Sequence, residues 1–366
     1  MTLAIKRRHV AFCLLPQLLF VLLALGAVYR GVWLLLPVVF LLVVVPLLDT
    51  LTGWQDSTHF HKGDFSRGEI FLFHWNTRLY AILYVTSVIC MVKFLPSLSL
   101  AERGFLMFSA SLLGAIGFAA AHELLHGKAK LDQALQRMTT AFLFYPHYKL
   151  IHVQSHHTHA ATDHDKNTAW LDESIYAYLL RTVPQSMMRC WQMESARIRK
   201  RKPVVRPVLL QNQMFAFALG QVGLLLALYL FSGLGGLLFY VGHLIGAHIV
   251  LESVNYIQHY GLLRKRQDGQ YERTGAEHSW DTYHYFSSYA TFRVGHHSYH
   301  HISLKPYYLL FTEAKAPKLP VGYFWAIAMV LIPPWWRRVM NPKCPLVADG
   351  APNRLVEALE RPSTSA

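Results

Sequence analysis

Long apolar runs with few charges alternate along this chain with short links. After Lys6-Arg7-Arg8 an apolar run covers residues 9–29, and a second covers 31–48, with only Arg30 between them. Two more, 77–95 and 104–121, are separated by a link flanked by Lys93 and Arg103. A last pair, 213–232 and 235–253, is joined by Ser232-Gly233-Leu234-Gly235-Gly236. Each run is close to the ~20 residues an α-helix needs to cross a ~30 Å hydrocarbon core. The pattern therefore predicts an all-α polytopic membrane protein with six spans. Residues 320–336 are apolar but hold three prolines and the pair Trp335-Trp336, which suits an interfacial or re-entrant segment better than a span.

Composition agrees with this reading. Of the 366 residues 53% are hydrophobic and only 15% charged, with a mean hydropathy of +0.24. A soluble chain would carry about 25% charged residues. The net charge of +14 could suggest a nucleic-acid partner, but the positive residues cluster beside apolar runs. Membrane topology and contact with anionic lipids account for that placement, and no nucleic acid is expected. With the N-terminus inside, the inner loops hold Lys6-Arg7-Arg8 and Arg197-Ile198-Arg199-Lys200-Arg201-Lys202, while the short outer loops are nearly uncharged. Both termini are thus expected on the inner, cytoplasmic side of the membrane. The first run lacks a signal-cleavage pattern and is followed at once by a second, so it reads as a span. Residues 1–345 are expected to form one integral-membrane domain, and the polar stretch 346–366 a loosely ordered tail. The four cysteines, Cys13, Cys90, Cys190 and Cys344, form no C-x-x-C pair, which argues against an iron–sulfur cluster or a four-thiolate zinc site.

The chemistry lies in the histidines. Val294-Gly295-His296-His297-Ser298-Tyr299-His300-His301 packs four imidazoles into six positions. His122 and His126 stand four apart at the inner end of span four, and His152 and His156 repeat the spacing, with His157 adjacent. Four-residue spacing on a helix stacks two rings on one face, as a shared metal needs. His297, His300 and His301 use the i, i+3, i+4 version, and His259 follows span six. Topology assigned without the histidines puts all four segments on one side of the membrane. Nine candidate ligands exceed the four to six that one ion takes, so two ions are expected.

Two other readings compete. His122-Glu123-Leu124-Leu125-His126 is literally H-E-x-x-H, the zinc-protease motif with Glu123 as general base. That site needs only one further ligand and leaves six clustered histidines without a role. A metal transporter would place its ligands within the spans, where only His243 and His248 lie. Imidazole alone does not choose among zinc, copper, nickel and iron. An apolar substrate, whose C–H bonds need an oxidant, favours iron with dioxygen. No nucleotide fingerprint is present, so electrons must come from a separate donor docking on the basic inner face.

These segments resemble the integral-membrane di-iron family of alkane monooxygenases, xylene monooxygenases and fatty-acid desaturase-like enzymes. The resemblance runs from about Leu47 to Tyr323. It rests on Pro46-Leu47-Leu48-Asp49 with Gly53, on the three histidine boxes, and on Asn255-Tyr256-Ile257-Gln258-His259-Tyr260-Gly261-Leu262. It implies that His122, His126, His152, His156, His157, His259, His297, His300 and His301 hold two irons that activate dioxygen. It also implies a cytoplasmic histidine-rich cap and a ferredoxin- or rubredoxin-type donor with its reductase. Gly127 stands where alkane monooxygenases usually carry a basic residue, Gln258 where they usually carry Glu (xylene monooxygenases resemble this chain there), and Val294-Gly295-His296 where they normally carry Leu-Gln-Arg. The chain is more similar to the UndB-type fatty-acid decarboxylases. That likeness implies conversion of a medium-chain fatty acid such as lauric acid to 1-undecene and carbon dioxide, with alkane or xylene hydroxylation as the alternative. A fatty acid needs a carboxylate anchor, for which Arg293 and Lys149 are candidates. His159, His164, His278, His284 and His296 are expected around the ligands or at the surface. Asp163, Asp165 and Asp281 are candidates to orient ligand rings.

Overall fold

The computed structural model describes residues 3–54, 60–201, 207–267 and 270–345. The expected tail, 346–366, lies outside them. Apart from a two-residue hairpin pairing Arg266–Gln267 with Gln270–Tyr271, the regular structure among the described residues is helical. Five helical runs are long and apolar enough to cross a membrane. They are α1 (Leu3–Tyr29), α2 (Gly31–Thr52), α3 (Arg67–Phe94, extending to Ser97), α4 (Leu100–His126) and α7 (Gln213–His259). Between α4 and α7 lie α5 (Lys130–Phe142) and α6 (Ile175–Lys200). After α7 come four short α-helices among the described residues, α8 (Tyr285–Ala290), α9 (His297–Ile302), α10 (Tyr323–Val330) and α11 (Pro333–Met340).

The 47-residue α7 contains both predicted final spans. Gly233 breaks it with φ 65° and ψ −169°, a backbone state that only glycine adopts readily. The two arms fold back beside each other. Gln221 Nε2 donates to Ala141 O at 3.2 Å, and Tyr240 Oη donates to Phe142 O at 2.7 Å. On a straight helix these residues would stand about 28 Å apart. Six membrane-length arms thus arise from five runs.

Helix starts follow sequence chemistry. Ser66 Oγ accepts from Glu69 N while Ser66 N donates to Glu69 Oε2, and Ser99 and Glu102 repeat the reciprocal cap at the head of α4. The helix predicted at 77–95 begins ten residues earlier, at Arg67. Its extra turns carry Glu69, which finds a partner in Lys6 Nζ at 2.8 Å, and just beyond them Arg78 Nε lies 2.7 Å from Asp132. α4 is buried nearly all round from Ser109 to Ala121, which makes it the axis of the bundle. α10 has only eight residues, too few to span. It buries Tyr323, Phe324, Ile327 and Val330. Asp49 of α2 accepts from Phe286 N at 2.7 Å, Ser287 N at 3.1 Å and the Ser287 hydroxyl, which ties the start of α8 to the membrane bundle.

Candidate di-metal centre

α4 ends in the first two histidines. His122 and His126 stand one turn apart, edge to face with ring centroids 5.2 Å apart, and the chain leaves the helix at Gly127. A side chain at Gly127 would overlap Asp132, the partner of Arg78, so the absence of a basic residue here has a steric cause.

The second segment behaves differently from expectation. His152–His156 forms a single π-turn, with i→i+5 bonding, between two short α-turns. The wider turn sends histidines four apart to different places. His152 joins His122, His126 and His300, while His156 joins His259, His297 and His301. Within each set of four, one ring nitrogen per residue lies within 4.8 Å of every other. The ninth histidine adjoins the first set: His157 Nε2 is 3.0 Å from His152 Nε2 and 3.1 Å from His300 Nε2. α9 serves both sets, with His300 in one and His297 and His301 in the other.

The outer contacts fix which nitrogen faces inward. Asp165 Oδ2 lies 2.9 Å from His156 Nδ1, and the His278 carbonyl lies 2.9 Å from His259 Nδ1. Both bonds hold the proton on Nδ1 and leave the Nε2 lone pair free, the arrangement that supports metal-bound imidazole. Inside the cage the close approaches are nitrogen to nitrogen: His122 to His300 at 3.1 Å, His259 to His297 at 3.2 Å and His301 to His297 at 3.0 Å. His126 Nε2 is buried with no partner. Rings that point lone pairs at one another satisfy them poorly unless a cation sits between. The residues therefore fit metal ions, and an all-imidazole set suits iron as well as zinc or copper.

Electrostatics favours the ligating state. Burial, reinforced by neighbouring imidazoles, holds His152, His297, His300 and His301 well below the ordinary histidine range and His157 down at about 3. These rings are neutral at pH 7. Burial alone would raise the Asp165 carboxyl. The His156 ring and the Thr168 hydroxyl outweigh it and hold the group below its usual value.

Of the three candidate orienting aspartates, only Asp165 reaches a ligand ring. Asp163 accepts from Tyr271 Oη at 2.9 Å. Asp281 caps α9 by accepting from Ser298 N at 2.8 Å and from Ser298 Oγ and Tyr283 Oη. His278 acts on the site through its backbone. His284 bonds to Thr282, and His296 to Ser288 and the Phe311 carbonyl. His159 and His164 pair with each other, 5.7 Å between ring centroids. The carboxylate of Glu123 accepts from Tyr307 N at 3.2 Å, so the general base of a protease motif is occupied by backbone.

A cleft enclosing about 600 Å3, open mouth included, leads to the cage. His122, His152 and His297 line it, so it touches both sets. Its remaining walls are Ala115, Ile116, Phe118 and Ala119 of α4, Val250, Leu251 and Val254 of α7, and Phe324 and Ile327 of α10, with Tyr148, Asn255, Gln258, Thr291, Val294 and Tyr323. None of these residues carries a formal charge. Arg293 is buried but outside the lining; its Nε lies 3.3 Å from His296 Nε2, and its Nη1 has no partner. Lys149 is exposed, and it too is absent from the lining. Sequence reasoning did not find the cleft walls, because an apolar residue facing a substrate reads like one facing lipid.

Residues 102–310, more than half of the chain, match the fatty acid desaturase family. Alkane 1-monooxygenase 1 of Pseudomonas aeruginosa is 34% identical over 270 residues, covering 73% of this chain and 70% of that protein. An alkane 1-monooxygenase of Ectopseudomonas oleovorans is 33% identical over 69% of this chain and 63% of its own length. The xylene/toluene monooxygenase hydroxylase component of Pseudomonas putida is 28% identical over 66% of this chain and 64% of its own. Together with the six apolar arms and the twin histidine sets, these matches place the chain in the desaturase-like family of integral-membrane di-iron enzymes to which the alkane 1-monooxygenases belong.

Proposed function

We propose that this protein is a hydrocarbon monooxygenase that inserts one oxygen atom at a terminal or methyl carbon. The observation that carries the reading is the uncharged cleft ending against His122, His152 and His297. The overall reaction consumes one hydrocarbon, one dioxygen, two electrons and two protons, and yields one alcohol and one water. Two irons held by the nine histidines would supply the dioxygen activation. The first would be held by His122, His126, His152 and His300 with His157, and the second by His156, His259, His297 and His301. The protein's part is to keep the imidazoles neutral and aimed inward, to exclude water with α4, α7 and α10, and to hold a C–H bond at the cage. Residues 1–345 act as one domain, with the cage in a cytoplasmic cap at the inner membrane. The electrons come from a separate ferredoxin- or rubredoxin-type protein and its reductase.

Oxidative decarboxylation is the second reading, and Arg293 is what favours it. A buried guanidinium with an unpartnered Nη1, one residue from the cleft wall at Val294, could hold a carboxylate after a modest shift. That reaction would convert a fatty acid, dioxygen, two electrons and two protons to a terminal alkene, carbon dioxide and two waters. The test is gas chromatography of cells expressing the protein and fed dodecane, xylene or lauric acid, with His300→Ala as control. Alcohols from the hydrocarbons that vanish in the variant are expected. A 1-undecene peak from lauric acid without any alcohol from hydrocarbons would overturn the reading in favour of decarboxylation.

A further inference from the structure

Four buried rings form a unit of their own beside the cage. Tyr256 and Tyr260 stand at the end of α7 with ring centroids 5.1 Å apart, and Tyr260 directly follows His259 of the second set. Trp336 of α11 lies 5.4 Å from Tyr260 and 5.9 Å from Tyr256. Tyr178 of α6 lies 5.3 Å from Tyr256. All four are buried, while the residue before Trp336, Trp335, is 40% exposed. The unit therefore runs from the neighbour of a cage imidazole to the protein surface.

Packing alone does not select these residues. Phenylalanine is the commonest aromatic residue of the chain, 21 against 19 tyrosines and 9 tryptophans, and it fills a core without a polar atom to satisfy. Elsewhere it joins ring clusters freely, as where Phe60, Phe65 and Phe73 surround His9. Among the described residues the four rings of this unit contact one another and no phenylalanine ring. Phenol and indole give up one electron readily, and a phenyl ring does not. Tyr256 Oη donates to the Glu173 carbonyl at 2.5 Å, and Tyr260 Oη to Asn341 Oδ1 at 2.7 Å. Neither acceptor is a base that keeps a proton, so an oxidised phenol here draws an electron back from the next ring. The indole of Trp336, whose Nε1 has no partner, can stay oxidised without shedding a proton. Arg181 stands 5.4 Å over the Tyr178 ring, and a cation on that face makes the ring harder to oxidise. The unit thus slopes away from Tyr178 and toward Trp336.

We infer that Tyr260, Tyr256 and Trp336 carry oxidising equivalents from the cage to Trp335 when dioxygen is reduced there with no hydrocarbon in the cleft. Reduction of one dioxygen to two waters takes four electrons and four protons. The external donor supplies two of the electrons, and the other two travel inward through Trp336 and Tyr260. Oxidation of two thiols in solution to one disulfide refills the rings through Trp335 and releases two of the protons; solvent supplies the rest. The route spares the imidazoles, which are otherwise the nearest groups to be oxidised. This inference rests on the reading of the cage as an oxygen-activating di-iron centre.

The experiment mixes the iron-loaded full chain in detergent with hydrogen peroxide, without hydrocarbon or thiol, and freezes it for electron paramagnetic resonance. Mass spectrometry of its peptides then measures oxidation of the nine cage histidines. Wild type should give an indole radical whose line shape changes when the tryptophans are ring-deuterated. Trp336→Phe and Tyr260→Phe, which both keep an aromatic ring in place, should each lose most of that signal, and histidine oxidation should rise severalfold. Either variant holding two irons with wild-type signal and wild-type histidine oxidation would overturn the route. Should Trp336→Phe fail to bind iron, Tyr260→Phe decides alone, since it removes only a hydroxyl. Wild-type protein that holds two irons and gives no ring radical would overturn the route as well. Wild-type protein that takes up no iron would overturn the di-iron reading beneath it instead.

Discussion

The two histidine sets contain the same chemical group but are held in place by different means. The set of His122, His126, His152 and His300 hangs from the end of α4, the most enclosed helix of the bundle. Its ring nitrogens meet one another, and His126 Nε2 has no partner at all. In the set of His156, His259, His297 and His301, two rings are tied from outside by Asp165 and the His278 carbonyl. The second set thus has outside hydrogen bonds on His156 and His259, while its His297 and His301 keep unpartnered Nδ1 atoms. Outer-shell partners of metal-bound histidine typically contribute a factor of 10–100 in affinity or activity. The second set should therefore hold its ion more tightly and be damaged by changes that leave the first alone.

The largest effect is expected where the sets meet. His300→Ala removes a first-set ring that also contacts His157, and activity should fall by at least about a hundredfold, with iron dropping from two toward one per chain. Product assay and metal analysis check this together; retention of two irons would dissolve the assignment of His300. Asp165→Asn should lower activity or second-site affinity about 10- to 100-fold, with the first site still filled. Mössbauer spectra of the iron-57-loaded variant would separate the two ions, and equal losses at both would erase the distinction.

A pH effect comes next. In the metal-free protein the rings of His152, His157, His297, His300 and His301 titrate below the ordinary value of 6.5, His157 at about 3. Unfolded chains bind these protons as pH falls below about 6.5 while the folded state refuses them, so stability drops with falling pH. The contribution is fully present above pH 6.5 and is lost progressively toward pH 3. Thermal unfolding in detergent between pH 7.5 and 5 should show the metal-free melting temperature falling as the solution is acidified. A flat profile would mean the rings take up protons as readily in the folded chain as in the unfolded one. The smallest effect is expected from Ser298→Ala, which removes one of the two Ser298 bonds to Asp281 at the head of α9. It should cost about 1 kcal/mol, the typical net worth of one hydrogen bond. Because α9 feeds both sets, metal should weaken equally at each, and a one-sided loss would argue against α9 as a shared element.

Much of this was legible in the sequence. Six apolar arms follow from apolar runs of sufficient length with few charges, and nine histidines stand out because no packed core needs so many. The partition between the sets was not legible, since the spacing of His152 and His156 reads as one α-helical face and only the π-turn separates them. Nor could the sequence choose among Asp163, Asp165 and Asp281. All three are short acids near histidines, and the direction of each side chain depends on the fold. The early start of α3 was hidden because Glu69 looks like a loop charge until Lys6 arrives to pair with it. The cleft left no trace, because its walls are as apolar as the faces turned to lipid.

α9 is six residues long and supplies ligands to both sets. A helix that short is marginal on its own and needs outside contacts to persist. Whichever ion is loaded first must order it, and the second then finds its ligands already in position. In the intact protein the second ion should accordingly bind more readily than the first, while a variant that cripples one set still leaves the other its own four ligands. By reciprocity, stripping one ion loosens the grip on the other.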